Sequence, residues 1–448
     1  MTTAITIGMI IIYVAIMMGI GVYTARQTRS VSDFVLGSHS VGSWLTAFAY
    51  GTSYFSAVVF IGYAGQFGWT YGVSAAWVGV GNALLGSLLA WIVLGRRTRI
   101  MTQSLGAKTM PEYFEKRWNS KGLKIAAALI VFVFLIPYTA SVYNGLSRLF
   151  NMAFQIESEG AYKIIIIVMA LLTAIYVILG GYAATAINDF IQGIVMLIGI
   201  AAVVICAIQN QGGLTSALAA LGEIEVNGKT NTLNSVFGPD PLNLLGVVIL
   251  TSLGTWGLPQ MIHKFYAIKS ENDIKKGAVI STVFALIVAG GSYLLGGFDR
   301  LFCTLTEDGS GKTVISTLSN GKPDFDAMIP SLLHTALPDI LIGLVVVLVL
   351  SASMSTLSSL VLTSSSTLTI DLIKPNLKKC SDKKEMLIMR VLIAVFLVIS
   401  VLLAFNKNAS ISTLMSYSWG ALAGAFLGPF MYGLFSNCLL YTSPSPRD

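Results

Sequence analysis

Apolar runs long enough to cross roughly 30 Å of hydrocarbon recur along the 448 residues, near 3–23, 42–66, 71–95, 123–150, 161–181, 186–208, 241–265, 274–298, 337–371, 386–406 and 410–436. The pattern predicts eleven spanning helices, the ninth preceded by an approach segment around Pro338. Two runs are interrupted. The second carries AYGTSYFSAVVFIGYAG, with Gly51, Gly62 and Gly65, and the seventh carries TSLGTWGLPQMIHKF, with Gly254, Gly257 and Pro259. Each predicts a mid-membrane break, and five helices apart they point in opposite directions. Such a pair in two inverted halves marks a transporter's central site, where freed carbonyls and helix ends coordinate ions and substrate. The plainer alternative is that glycines only let helices pack closely.

The ninth run changes character at SASMSTLSSLVLTSSSTLT (Ser351–Thr369). On a helix Ser351, Ser355, Ser358 and Ser359 share one face, and hydroxyls do not face lipid cheaply. They either hold neighbouring helices or replace the hydration shell of a small hard cation, for which such oxygens are the natural ligands.

With 55% hydrophobic and 11% charged residues, against about a quarter charged in soluble domains, the chain reads as a polytopic membrane protein. Cys206, Cys303, Cys380 and Cys438 imply neither a disulfide framework nor a metal site. The first apolar run lacks a basic stretch ahead of it, and Arg26 and Arg29 follow it, so it reads as a spanning helix rather than a cleaved signal. About twenty of the 28 Lys and Arg lie on alternate connections of one side: Arg26 and Arg29, the stretch from Arg96 to Lys124, Lys264 to Lys276, and Lys374 to Arg390. The excess of positive charge marks the inner side and puts the N-terminus outside. The net charge of +7 is therefore topology and not a nucleic-acid surface.

Two lures carry no chemistry. GSGKT (Gly309–Thr313) lacks the first glycine of a phosphate-binding loop, since Thr306 stands there, and no strand precedes it. His39, His263 and His334 lie near helix ends or in loops, not paired in the bilayer as a haem or redox centre requires. No catalytic constellation is read, so an enzyme is not expected.

The chain resembles the sodium:solute symporters from Thr3 to about Phe435, through SDFVLGSHSVGSWLTAFA, TMPEYFEKRW, GGYAATAINDFIQ, MSTLSS and SYSWGALAGAFLGPF. The resemblance implies an all-α fold of the LeuT type, a five-plus-five inverted repeat with one extra N-terminal helix. Residues 1–30 would form the peripheral helix, 41–208 the first repeat, 209–240 an external loop and 241–436 the second repeat. The tail 437–448 breaks composition and reads as a truncated or foreign end. The implied function is sodium-coupled symport of a small organic solute across the bacterial inner membrane by a protein working as a monomer in the lipid bilayer. A sodium-gated sensor or channel on the same fold is the alternative.

Carried over by motif, the family's common sodium site falls on the carbonyls of Thr52, Phe55 and Ala352 and the hydroxyls of Ser355 and Thr356. A second sodium, described for some members, falls on Asp189, Ser355, Ser358 and Ser359; the plainer reading of Asp189 is a helix cap. An intramembrane carboxylate usually has a partner, and no Lys or Arg close in sequence offers one. Where proline carriers have an Asp beside the first break, and a Trp and a Tyr on the second broken helix, this chain has Tyr54, Thr251 and Thr255. Where sugar carriers have a Glu, it has Ala76, and Arg148 stands too far out to clamp a sialic acid carboxylate. SYFSAVVFIG most resembles monocarboxylate and pantothenate carriers. The expected solute pocket is Ser53, Tyr54, Ser56, Trp77, Tyr138, Thr255, Trp256 and Gln260, apolar and aromatic with a few orienting polar groups; each has the alternative of simple packing between helices.

Overall fold

In hydrocarbon a backbone polar group finds partners only within a helix or a closed barrel, and the apolar runs are helical in the computed structural model. It describes residues 2–25, 30–37, 41–155, 158–307, 311–318, 321–377, 381–405 and 410–436. The readings that rest on Arg26, Arg29, His39, Gly309, Cys380, Cys438 and the 437–448 tail lie outside these residues. Among the described residues the only strands are Cys303–Thr304 and Thr313–Val314, a short parallel pair. Several long helices begin where a side chain satisfies a free N–H of the first turn: Ser120, Ser158, Asp240, Ser270, Ser381 and Ser410 each accept one.

Both expected breaks are present. The first broken helix runs over Ser43–Tyr54 and stops at Phe55, whose φ of −98° and ψ of 115° are extended. It resumes with π-helical turns over Val58–Tyr63 and continues through Ala64–Tyr71. The interruption falls between the glycines rather than on one, because Ser56 makes a new helix start. Its hydroxyl accepts the Val58 N–H at 3.2 Å, and its carbonyl accepts those of Val59 and Phe60 at 3.0 Å. Gly51 serves packing instead, leaving no room for a Cβ beside the Phe284 ring. The second broken helix, Pro241–Leu253, tightens to a 3-10 turn over Gly254–Gly257, passes an extended Leu258 and restarts at Pro259–Ala267, bent by 53°. Proline suits that restart, since the N–H it lacks has no helical acceptor there.

The broken helices run antiparallel, as expected. Lys269 N–H donates to the Val41 carbonyl at 3.0 Å, joining the end of one to the entry of the other, and the Tyr54 hydroxyl reaches the Thr251 carbonyl at 3.1 Å near both middles. Basic connections gather at the Val41 end: Arg99 donates to the carbonyls of Ile268 and Lys269 at 3.1 and 2.8 Å, and Arg96 pairs with Glu271 at 2.7 Å.

Seven helices among the described residues are long and apolar enough to cross a membrane, or eight with the bent pair joined; the sequence pattern predicts eleven spans. Part of the difference lies in turns made by a single residue, with no loop between the helices they join. Glu159–Asn210 has 52 residues, about 78 Å of helix against ~30 Å of hydrocarbon, and Gly181 interrupts it at φ 57°, ψ −147°. Tyr176 donates to the Met354 carbonyl at 2.7 Å, while Gly199 packs on Leu348. On a straight helix residues 176 and 199 would stand ~34 Å apart, whereas 348 and 354 are ~9 Å apart, so the chain doubles back at Gly181. A side chain there would also meet the Phe34 backbone, leaving glycine as the residue that fits.

The serine-rich helix, Asp339–Thr367, packs against the hairpin around Gly181, the Lys121–Phe154 helix and the first broken helix. Ser351, Ser353, Ser355, Thr356, Ser358 and Ser359 are all buried. Ile11, Ile198, Leu250 and Leu402, by contrast, stand exposed on the outer surface, an apolar belt suited to lipid.

Gly68 and Gly296 bring Ala64–Tyr71 and Glu271–Gly296 into backbone contact: a Cβ on Gly68 would overlap the Gly296 carbonyl group, and one on Gly296 that of Ala64. Gly68→Ala is therefore expected to destabilise the protein by about 1–3 kcal/mol. Gly246→Ala, which points into open space, should leave the melting temperature in detergent unchanged or raise it. Equal melting of the two variants would contradict this packing.

Candidate functional site

A helix that stops in mid-membrane leaves its last carbonyls without the N–H groups a further turn would supply. On the first broken helix the Thr52 carbonyl is taken up from outside. Ser355 and Thr356 hydroxyls approach it at 3.0 and 3.3 Å, and the same two hydroxyls reach the Ala352 carbonyl at 3.0 and 3.2 Å. Four of the five oxygens expected at the common site thus converge, all on fully buried residues. Phe55, whose carbonyl is the fifth, is the extended residue at the break. Hydroxyl hydrogens rotate, so this cluster can turn its lone pairs toward a cation as readily as it closes on itself.

One turn further along the serine-rich helix, Ser359 Oγ lies 2.7 Å from Ser53 Oγ, and the Ser358 hydroxyl donates to the Ser355 carbonyl at 2.8 Å. Asp189 stands eight residues past Gly181, within the second arm of the hairpin and fully buried, so it is not a helix cap. Its partner is Lys264, from the inner half of the second broken helix. Lys264 Nζ lies 3.6 Å from Asp189 Oδ2, donates to Ser359 Oγ at 3.0 Å, and stands 5.3 Å from the Tyr182 ring centre. Lys264 is 2% exposed. The pair is hidden in the sequence because 75 positions separate its members and Lys264 reads as one of the inner basic residues. The available signal was its place one turn after Gln260, on the same face of a broken helix.

Of the expected pocket, Tyr54 and Tyr138 are brought together, on one indole. Tyr54 stacks on Trp419, with ring centres 6.0 Å apart, and Tyr138 meets the same indole edge-on at 6.2 Å. Thr255 donates to the Ser252 carbonyl at 2.7 Å and Trp256 to that of Leu85 at 3.1 Å. Gln260 is 1% exposed, yet neither amide atom has a hydrogen-bond partner among the described residues. Ser56 belongs to the break itself. Trp77 is not brought in: it is 44% exposed and donates to the Val236 carbonyl at 2.9 Å, out beside the 209–240 connection. Trp419 takes the central aromatic place, inside a motif quoted above but given no role there. Asn82 is the other unforeseen member, accepting the Thr251 and Ser252 hydroxyls at 3.1 Å.

A cavity of about 380 Å³ leads from the 299–336 side down to Thr251, lined by Tyr63, Gln66, Lys322, Phe325 and Ser416 among others. On that side Arg148 pairs with Asp324 at 2.6 Å, and Asp326 accepts the Ile411 N–H at 3.0 Å. Burial pushes the Asp326 carboxyl up to about 6, opposed by the Ile411 N–H and the Arg148 guanidinium. Arg148 is thus engaged away from the centre, as its position in the chain suggested.

Two antiparallel broken helices, the first docked on a serine-rich helix through a buried oxygen cluster, define a membrane transporter of the LeuT fold. The chain belongs to the sodium:solute symporter family, whose model matches residues 34–439. It is 30% identical over 437 residues to the sodium/proline symporter of Staphylococcus aureus, in strains JH9 and USA300 alike, over 95% of this chain and 80% of that protein. Among solved structures it is similar to a Na+-coupled sialic acid symporter in a substrate-bound outward-open state, with a TM-score of 0.75 and 18% identity, covering 96% of this chain and 86% of that one. Mhp1, a nucleobase-cation-symport-1 family transporter in a closed conformation, follows with a TM-score of 0.55 and 14% identity over 89% of this chain and 78% of its own.

Removing one member of a buried ion pair strands the other charge, at a cost of about 3–5 kcal/mol, whereas replacing both is far milder. In sodium-free buffer Asp189→Asn and Lys264→Gln should each lower stability markedly. The double variant should recover most of the loss in thermal or denaturant unfolding; additive losses would mean that the two side chains do not sense each other.

Proposed function

We propose that this protein carries a small organic solute into the bacterial cell together with sodium, by alternating access between the repeats 41–208 and 241–436, with its N-terminus outside. The observation that carries this reading is the convergence of the Thr52 and Ala352 carbonyls with the Ser355 and Thr356 hydroxyls at a helix break. Sodium held there, with Phe55 as a further ligand, ties the serine-rich helix to the first broken helix and favours the outward-facing state. That orders the breaks, and the solute binds against Ser53, Tyr54, Tyr138, Thr255, Trp256 and Gln260, with Trp419 closing the aromatic side. Opening toward the basic face then releases both. At a membrane potential of roughly 100 mV each sodium brings about 2.3 kcal/mol of electrical driving force. Asp189, Ser355, Ser358 and Ser359 form a second cation position.

The solute class follows from the same side chains. The six named side chains with Trp419 offer aromatic faces, hydroxyls and one amide but no Arg to clamp a carboxylate bidentately, which suits a small monocarboxylate or pantothenate-like molecule held through neutral donors. The identified relatives are named for proline, so proline is the first competitor to test. With Tyr54 and Thr255 at the positions where proline carriers have Asp and Tyr, and Ala76 where sugar carriers have Glu, neither proline nor glucose should be taken up with micromolar affinity. A thermal-shift screen of carboxylates, amino acids, sialic acids and sugars, with and without sodium, identifies the solute. Sodium-driven micromolar proline or glucose uptake would overturn the assignment.

For the sodium site, Ser355→Ala and Thr356→Ala each remove one ligand oxygen and leave the carbonyls. Each should raise the sodium concentration for half-maximal uptake by about tenfold, equivalent to ~1.4 kcal/mol. Unchanged sodium dependence in both variants excludes them as ligands. Labelled-solute counterflow in proteoliposomes separates a carrier, which exchanges solute, from a sodium-gated sensor, which moves none.

A further inference from the structure

A buried carboxylate in the bilayer requires a counter-charge, and the one the structure supplies to Asp189 is part of the chain. The Lys264 ammonium lies 3.6 Å from Asp189 Oδ2 and 3.0 Å from Ser359 Oγ, two of the four groups expected to hold a second sodium. We infer that the Lys264 ammonium is the resident cation of the Asp189–Ser359 position, a tethered replacement for a second sodium, so that one sodium accompanies each solute. The inference rests on the sodium reading above and specifies its stoichiometry.

Three observations carry it. First, the ammonium is surrounded as a bound ion would be: a carboxylate at ion-pair distance on one side, a hydrogen-bonded hydroxyl oxygen on another, the face of Tyr182 at 5.3 Å on a third, which suits a cation. Second, the hydroxyl it uses is already spoken for. Ser359 Oγ also shares a hydrogen bond with Ser53 Oγ at 2.7 Å, and a hydroxyl has one hydrogen and two lone pairs, leaving little for another ion. Third, charge excludes double occupancy. Two unit charges about 4 Å apart repel enough, even at an effective dielectric constant of 20, to weaken ion binding roughly a thousandfold.

The tether gives this position a mechanical role that a free ion would not have. Lys264 sits on Pro259–Ala267, Asp189 on the hairpin after Gly181, and Ser359 on the serine-rich helix, so the ammonium joins three elements and, through Ser53, the first break. When the inner half of the second broken helix moves, this cation moves with it and is not released to the cytoplasm.

The test is the number of ions bound, read with radiolabelled sodium on the purified full chain at saturation. Wild type is expected to hold one sodium, Lys264→Gln two, and Lys264→Arg one. Asp189→Asn/Lys264→Gln is expected to return to one, because the created site has lost its carboxylate. Two sodium ions on the wild type, or one on a folded Lys264→Gln variant, would overturn the inference. The wild-type number decides the matter even where the variant does not fold. No sodium on either protein would instead overturn the sodium reading itself.

Discussion

The structure turns on one carbonyl. Thr52 stands in the last turn of a helix that stops in the middle of the membrane, where an unpaired carbonyl costs several kcal/mol, and two hydroxyls from the serine-rich helix meet it at 3.0 and 3.3 Å. That constraint fixes the register between the two helices. It also explains why Ser355 and Thr356 are polar in an otherwise lipid-like segment. The next turn repeats the device, with Ser359 reaching Ser53. In the proposed reading, a sodium ion entering the cluster would replace hydroxyl–carbonyl hydrogen bonds with ion–oxygen contacts on the same atoms, so that binding and helix–helix docking would be one event. The same reading would couple sodium to solute, because Tyr54 stands two residues beyond Thr52 on the same broken helix.

Much of this is legible in the chain. The breaks, their opposite directions, the serine face and the gathering of basic connections on one side are local or periodic features, and a periodic feature keeps its meaning when the chain folds. The breaks at Phe55 and Leu258 differ from the glycines only in detail. Ser56 caps the new helix of the first, and Pro259 starts that of the second. Gly51 is conspicuous in sequence for another reason, its contact with Phe284.

What escapes the sequence is contact between distant positions. Nothing local ties Lys264 to Asp189, and in a charge count the lysine looks like one more inner-face residue. The sequence puts Trp77 in the pocket and gives Trp419 no role, but the first is held at the periphery by Val236 and the second stands between Tyr54 and Tyr138. Span counting from hydropathy and from helices differs for a related reason: a single glycine at 72 or 181, with φ of 63° or 57°, reverses or redirects the chain without the polar loop that usually announces a turn.

Amide hydrogen exchange in sodium against an equal concentration of choline tests most directly whether the ion ties the first broken helix to the serine-rich helix. Slower exchange in sodium at residues 50–60 and 350–360, with no change over Leu214–Glu223, is the result expected of an ion held between Thr52, Ala352, Ser355 and Thr356. Equal exchange at both segments in sodium and choline would contradict it.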